Sequence, residues 1–130
     1  MSTRSRIGLE LKDGSVLSVY HHWDGYPEWL GKKLVEHYNT RESVAELIDG
    51  GDMSVCLDED GNPNPEYYNQ KGESMMNVAP RLDKSLGYYC DKDNGEEYHY
   101  LYRLDGYWMC VDQHQWDGTD KDPEVVAIPA

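Results

Sequence analysis

The residues best suited to chemistry lie in one short stretch, which reads Tyr-His-His-Trp-Asp-Gly-Tyr-Pro-Glu-Trp from position 20 to position 29. Aromatic rings can form the walls of a pocket for a planar ligand, and an imidazole beside a carboxylate can hydrogen-bond that ligand or move a proton. The candidate binding residues are three aromatic and two polar side chains: His22, Trp23, Asp24, Tyr26 and Trp29. No catalytic residue is assigned.

A structural role is the alternative for the same stretch, and it is the one we favour. Asp24 can accept hydrogen bonds from the backbone of a turn, His22 can bond a neighbouring carboxylate, and the tryptophans can simply pack. Gly25 suits a tight turn, and Pro27 suits the first position of a helix, where its missing N–H costs nothing. The stretch therefore reads first as a strand-to-helix junction.

Metal binding has weak support in the spacing of the histidines. His21 and His22 are neighbours in an extended segment, so their side chains should point to opposite faces and should not chelate one ion together. His22 with Asp24 is geometrically allowed, but a third ligand would have to come from one of three distant histidines, His37, His99 and His114. We expect no metal and no cofactor.

A second acidic stretch, from Asp58 to Asn69, resembles a calcium-binding loop only in part. Its sixth position is Pro63 and its twelfth is Asn69, where an EF-hand needs glycine and glutamate. An EF-hand is therefore rejected from the sequence.

The sequence also lacks a phosphate-binding glycine loop and a nucleophile elbow.

Two β-hairpins are predicted near the ends of the chain, each around an Asp-Gly pair, at positions 13–14 and 105–106. Asp-Gly between alternating apolar residues favours a two-residue type I′ turn. In the first hairpin such a turn places Ile7 opposite Tyr20 and Leu9 opposite Ser18. We expect that face to lie on the core.

Between the hairpins the pattern changes to a helical spacing of apolar residues. The predicted elements are helices at 27–37 and 41–48, a short strand at 53–57, a polar loop at 58–69 and, after the second hairpin, an acidic tail at 113–130. The fold class that follows is two-layer α+β. Its antiparallel sheet is built from the N- and C-terminal β-hairpins, with two short helices packed on one face. We expect a single domain over 1–130, with a flexible N-terminus at 1–5, a core at 6–112 and the tail at 113–130.

The charge balance narrows the classes of partner. Twenty-five acidic side chains face 12 basic ones, giving a formal net charge of −13. This composition argues against direct binding to nucleic acid and against anionic membranes. Electrostatic repulsion that keeps the protein dispersed explains the acidity most simply, and docking on the basic surface of a partner is the alternative. Three cysteines without a Cys-x-x-Cys pair, and a polar N-terminus without an apolar signal core, favour the reducing cytoplasm.

Several motifs together resemble a family of small proteins common in tailed-phage and prophage genomes. They are Asp-Gly-Ser-Val at 13–16, Tyr-x-His-Trp-Asp-Gly-Tyr-Pro at 20–27, Gly-Lys-x-Leu-x-Glu-His-Tyr-Asn-Thr at 31–40 and Ala-Glu-Leu-Ile-x-x-Gly-Asp at 45–52. The likeness runs from about residue 5 to about residue 111. It implies no particular activity. It implies a phage accessory protein that acts in the cytoplasm of the infected host.

The expected function is therefore non-enzymatic. The protein would bind a host or phage macromolecule, a protein with a basic surface, and act in host takeover or as an anti-defence inhibitor. The alternative is a small-ligand, nucleotide-like binding protein that uses the junction at 22–29. An enzyme ranks third, because it would need His99 or Arg103 brought to His22 and Asp24. The oligomeric state is left open.

Overall fold

A computed structural model describes residues 3–68, 79–90, 96–112 and, for the backbone alone, 124–126. The chain has an α+β fold with a mixed, open sheet. The strands are β1 Ser5–Glu10, β2 Val16–His21, β3 Met53–Leu57, β4 Pro63–Tyr67, β5 Arg81–Asp83, β6 Tyr98–Tyr102, β7 Trp108–Asp112 and β8 Glu124–Val126. The helices are a π-helical turn at Pro27–Gly31 that continues into α1 Lys32–His37, then α2 Arg41–Asp49 and α3 Leu86–Tyr89. Within the described ranges, no helix combines the length and the apolar character needed to cross a membrane.

Seven strands lie in the order β4-β3-β2-β1-β6-β7-β8, and β5 pairs with β2 outside this path. The strands within each hairpin, β1–β2 and β6–β7, are antiparallel. The central pair, β1–β6, is parallel, as is the single bridge between β2 and β3. The prediction of an antiparallel sheet is therefore wrong at its centre. Sequence neighbours usually pair, but β1 takes a partner from the far end of the chain, and that partner enters in the same direction.

Both hairpins close through three-residue loops instead of the predicted two-residue turns. In the first, the Leu11 N–H donates to the Ser15 carbonyl at 2.8 Å and the Gly14 N–H donates to the Leu11 carbonyl at 2.9 Å. Gly14 has φ +88°, and the corresponding Gly106 of the second hairpin has φ +85°. A type I turn followed by a left-handed glycine is the usual three-residue solution, and it accommodates an Asp-Gly pair as well as a type I′ turn does.

The extra loop residue shifts each register by one position. Ile7 lies opposite Val19 instead of Tyr20, and Leu9 lies opposite Leu17 instead of Ser18. A one-residue shift moves the partner strand's other set of side chains onto the shared face. The predicted face is therefore wrong for β2, whose core-facing residues are Leu17, Val19 and His21.

The main core lies between the sheet and the two helices that follow β2. It joins Ile7, Leu9 and Val19 of the first hairpin to Tyr100 and Cys110 of the second. The helical segments contribute five fully or almost fully buried side chains: Leu30, Leu34, Val44, Leu47 and Ile48. This cluster positions the N-terminal end of the first helical segment against the sheet.

A smaller cluster lies on the opposite face of the sheet. Val16, Leu101 and Val111 alternate with the residues of the main core along their strands, and they contact Tyr89 and Cys90 at the end of α3. The two-layer prediction accounts for the first face only. Helix α3 covers part of this second face, and Ser85 starts it by accepting a hydrogen bond from the Tyr88 N–H.

The other predicted elements agree with the structure to different degrees. Helix α2 starts at the predicted residue, Arg41, and directly before it the Thr40 hydroxyl accepts a hydrogen bond from the Ser43 N–H at 3.1 Å. Strand β3 has the predicted bounds. The polar loop at 58–69 was wrong in part, because β4 forms within it despite two prolines. Proline is tolerated on the edge strand of a sheet, and β4 occupies that position.

Replacing Gly14 by alanine should destabilise the protein by about 1–2 kcal/mol, because an L-residue is disfavoured at positive φ. Nothing lies within 4 Å of the added Cβ, so the effect isolates backbone strain. Urea unfolding measures it. The control is Gly87→Ala in α3, where the nearest atom is 3.8 Å away and φ is not positive; it should leave stability unchanged or slightly raised. Equal effects of the two changes would contradict the three-residue loop.

Candidate functional site

The junction after β2 is held to three other parts of the fold by its backbone. The Trp23 N–H donates to the carbonyl of Ser54 in β3, and the Gly25 N–H donates to the Thr3 carbonyl, both at 2.9 Å. The buried Tyr100 hydroxyl of β6 donates to the Gly25 carbonyl at 2.7 Å. The junction is therefore fixed in place before any side chain of the candidate site is considered.

Two adjacent residues of this junction have unusual constraints. Asp24 is in the left-handed region with φ +56°, which aspartate tolerates better than most residues do. Gly25 is buried, and a Cβ there would lie 2.7 Å from the Ser5 Cβ and 2.8 Å from the Thr3 carbonyl oxygen. The glycine is required for close approach of two backbones, and the aspartate accepts the strained conformation beside it.

His21 lies on the core side of the junction and is almost completely buried. Its Nε2 accepts a hydrogen bond from the Cys56 N–H at 3.0 Å, and its Nδ1 lies 3.4 Å from the Ser5 Oγ. Burial, with a smaller contribution from His22, lowers the pKa of His21 to about 3. The ring is therefore neutral and carries its proton on Nδ1. The sequence analysis considered His21 only as a metal ligand and did not predict this buried, hydrogen-bonded role.

His22 points to the other face of the strand, as the sequence predicted. Its Nδ1 lies 2.7 Å from the Tyr20 hydroxyl, and its ring meets the Trp23 ring edge-on, with centroids 4.7 Å apart. It does not line the groove described next. His22 is thus separated from the other four candidate residues, and its ring packs against Trp23 instead of lining the groove.

The remaining four candidates, Trp23, Asp24, Tyr26 and Trp29, line one wall of an open groove of about 810 Å³. The opposite wall comes from β3, β4 and the loop that joins them. Its residues are Val55, Leu57, Asp58, Glu59, Asp60, Asn64 and Glu66. The lining thus contains three aromatic rings and five carboxylates, and none of the described residues that form it is a lysine or an arginine. We call this surface the acidic aromatic groove.

The three rings of the groove differ in what already covers them. Trp23 is 47% exposed and Tyr26 is 38% exposed. Trp29 is half-buried, and the ammonium of Lys33 lies 5.9 Å from its ring centroid, within the range of a cation–π contact. The left-handed Gly61 brings the loop onto this pair, since a Cβ there would lie 2.8 Å from the Lys33 Cε.

The loop carrying the carboxylates is ordered by one of them. The Asp58 Oδ1 accepts hydrogen bonds from the N–H groups of Asp60 and Asn62, each at 2.9 Å. The Asp58 N–H in turn donates to the Asn62 carbonyl at 2.9 Å. Asp58 therefore stabilises the loop, while Glu59 and Asp60 are exposed at the groove.

The residues considered for catalysis do not join this groove. His99 is fully buried, and its ring meets Tyr89 edge-on with centroids 5.0 Å apart. The Arg103 Nε donates to the Glu10 Oε1 at 2.9 Å. In the described ranges, no three His, Cys, Asp or Glu side chains are arranged to hold a metal ion; His114 lies outside those ranges.

Comparisons with protein families, curated proteins and solved structures found no match to this chain.

Acidification should destabilise the protein before its carboxylates titrate. Burial lowers the pKa of both His21 and His99 to about 3, from a usual 6.5. The contribution of these two neutral rings to the free energy of unfolding is therefore full well above pH 6.5. It falls as the pH drops, because the unfolded chain binds protons that the folded chain does not. Each imidazole should cost about 1.4 kcal/mol per pH unit below that point. Urea unfolding between pH 7 and pH 5 measures the slope, and His21→Gln should roughly halve it; an unchanged slope would contradict the neutral, buried His21.

Substitutions at the two constrained junction residues should have unequal effects. Gly25→Ala should cost at least about 2 kcal/mol, because the new methyl group overlaps the Thr3 backbone. The free energy of unfolding of Asp24→Gly should stay within about 1 kcal/mol of the wild-type value, because relief of the left-handed backbone strain offsets the greater chain entropy of glycine in the unfolded state. Thermal unfolding compares them. A harmless Gly25→Ala would show that the contact with Thr3 is not tight.

Proposed function

We propose that this chain is a non-enzymatic phage accessory protein of the host cytoplasm, and that its acidic aromatic groove binds a host or phage protein with a basic surface. The phage origin and the cytoplasmic setting rest on the motif resemblance. The binding role rests on one observation: exposed rings and several carboxylates share the same concave surface.

The lining chemistry favours a cationic partner. Exposed Trp23 and Tyr26 offer π-faces that attract cations, and the carboxylates of Asp24, Glu59 and Glu66 add negative potential around them. A partly enclosed surface strengthens such interactions, because less water screens them. The overall charge of −13 extends the attraction beyond contact distance and would speed association.

The same lining argues against the nucleotide-like alternative. A nucleotide could stack its base on an exposed ring, but its phosphates would approach the five carboxylates of the groove. Like charges at such distances cost free energy. Among the described residues no lysine or arginine lines the groove, and the ammonium of Lys33 beside Trp29 is already paired with Glu36. A small planar ligand of this groove would have to be neutral or cationic.

The groove's shape also suits a segment of a larger partner. It is open to solvent and is lined by the junction on one side and the β3–β4 hairpin on the other. Its half-buried apolar residue, Val55, can contact the aliphatic stem of a long basic side chain whose charged end reaches the carboxylates. A basic chain segment would use both parts of the lining at once.

Binding of a flexible peptide of mixed lysine, arginine and glycine, measured by titration calorimetry, tests the proposal. The double variant Glu59→Gln/Glu66→Gln should weaken binding about tenfold, since each neutralised rim charge contributes roughly 0.5–1 kcal/mol. The matched control is Glu42→Gln/Glu46→Gln on α2, which makes the same change in net charge at exposed positions outside the groove. Equal losses in both variants, or no binding by the wild type, would refute the groove as the binding surface.

A further inference from the structure

We propose that the acidic aromatic groove selects arginine over lysine, and that the arginine binds against Trp23 and Tyr26 because Lys33 already occupies the ring of Trp29. This inference depends on the proposed function and specifies the chemistry that the groove recognises in its partner.

The three rings are not equally available to a second cation. Trp23 contacts the His22 ring but still exposes 47% of its surface, and Tyr26 exposes 38%. The Trp29 ring, in contrast, has the Lys33 ammonium 5.9 Å from its centroid. Lys33 is also held by Glu36, with the Nζ 3.2 Å from a carboxylate oxygen, and its side chain is only 22% exposed. A second cation at Trp29 would meet the charge of Lys33, so an incoming cation is directed to the other two rings.

The Asp24 carboxylate lies in the same groove as those two rings. Asp24 lies between Trp23 and Tyr26 in the sequence, and the backbone on either side of it is fixed by the hydrogen bonds of Trp23 and Gly25. Its carboxylate lines this groove and starts from a fixed backbone. Only the two side-chain torsions of Asp24 remain to be ordered when a partner binds.

The shape of the cation distinguishes arginine from lysine at such a site. A guanidinium is planar, so it can stack on an aromatic ring and still donate two parallel hydrogen bonds to a carboxylate. An ammonium is compact and strongly hydrated, and it can use only one of these geometries well. The groove brings together exposed rings, the Asp24 carboxylate and the half-buried Val55, and these suit the plane, the charge and the aliphatic stem of arginine.

Three peptides of equal length that carry arginine, lysine or citrulline at the same positions provide the test. Calorimetric titration should show the arginine peptide binding at least about threefold more tightly than the lysine peptide, and citrulline, which is planar but uncharged, should abolish binding. Equal affinity for arginine and lysine would overturn this inference and leave the proposed function intact. Failure of both charged peptides to bind would instead refute the proposed function.

Two pairs of variants locate the selectivity. Trp23→Ala should remove the preference for arginine, whereas Tyr107→Ala, which deletes a 74% exposed ring at the tip of the second hairpin, should keep it. Lys33→Met should tighten arginine binding several-fold by freeing the Trp29 ring, and by more than Lys32→Met, which removes the same charge from the exposed neighbouring position. Retained selectivity in Trp23→Ala, or equal effects of the two lysine variants, would contradict the assignment. Circular dichroism confirms that each variant is folded.

Discussion

Gly25 lies against the residues that precede and begin β1, with no space for a side chain. Its N–H donates to Thr3, and its carbonyl accepts from Tyr100 in β6. Because β1 and β6 form the parallel centre of the sheet, this contact ties the start of the first helical segment to that centre. Without it, the rings on either side of Gly25 would have no fixed position. The geometry of the groove follows from this approach of two backbones.

The structural and the binding interpretation of the junction do not exclude each other, because different residues serve them. His21 and Gly25 face inward, where one accepts a hydrogen bond from β3 and the other contacts the chain ahead of β1. Trp23 and Asp24 lie between them in the sequence, Tyr26 follows Gly25, and all three remain exposed. A sequence motif that contains both sets keeps the fold together with one set and presents a surface with the other.

Local sequence signals predicted the local structure and missed what depends on distant partners. The start of α2 and the bounds of β3 could be predicted directly, because turn and cap chemistry acts within a few residues. The registers of the two hairpins could not be predicted in this way, because a left-handed glycine fits hairpin loops of two or of three residues equally well. The parallel pairing of β1 with β6 was out of reach for another reason. It joins segments about ninety residues apart, and alternation alone does not choose between directions.

The candidate site also depends on distant partners that the sequence does not reveal. Half of the groove comes from the β3–β4 hairpin, which the bond from Trp23 to Ser54 brings beside the junction. In the sequence, that loop resembles only an incomplete calcium site. In the structure, it adds carboxylates next to a left-handed Asp24, so that like-charge repulsion and backbone strain share one surface. Both cost free energy, and hydrogen bonds elsewhere in the fold must offset them. A bound cation lowers the first of these costs, and this relief is the physical reason that the groove should favour a basic partner over water.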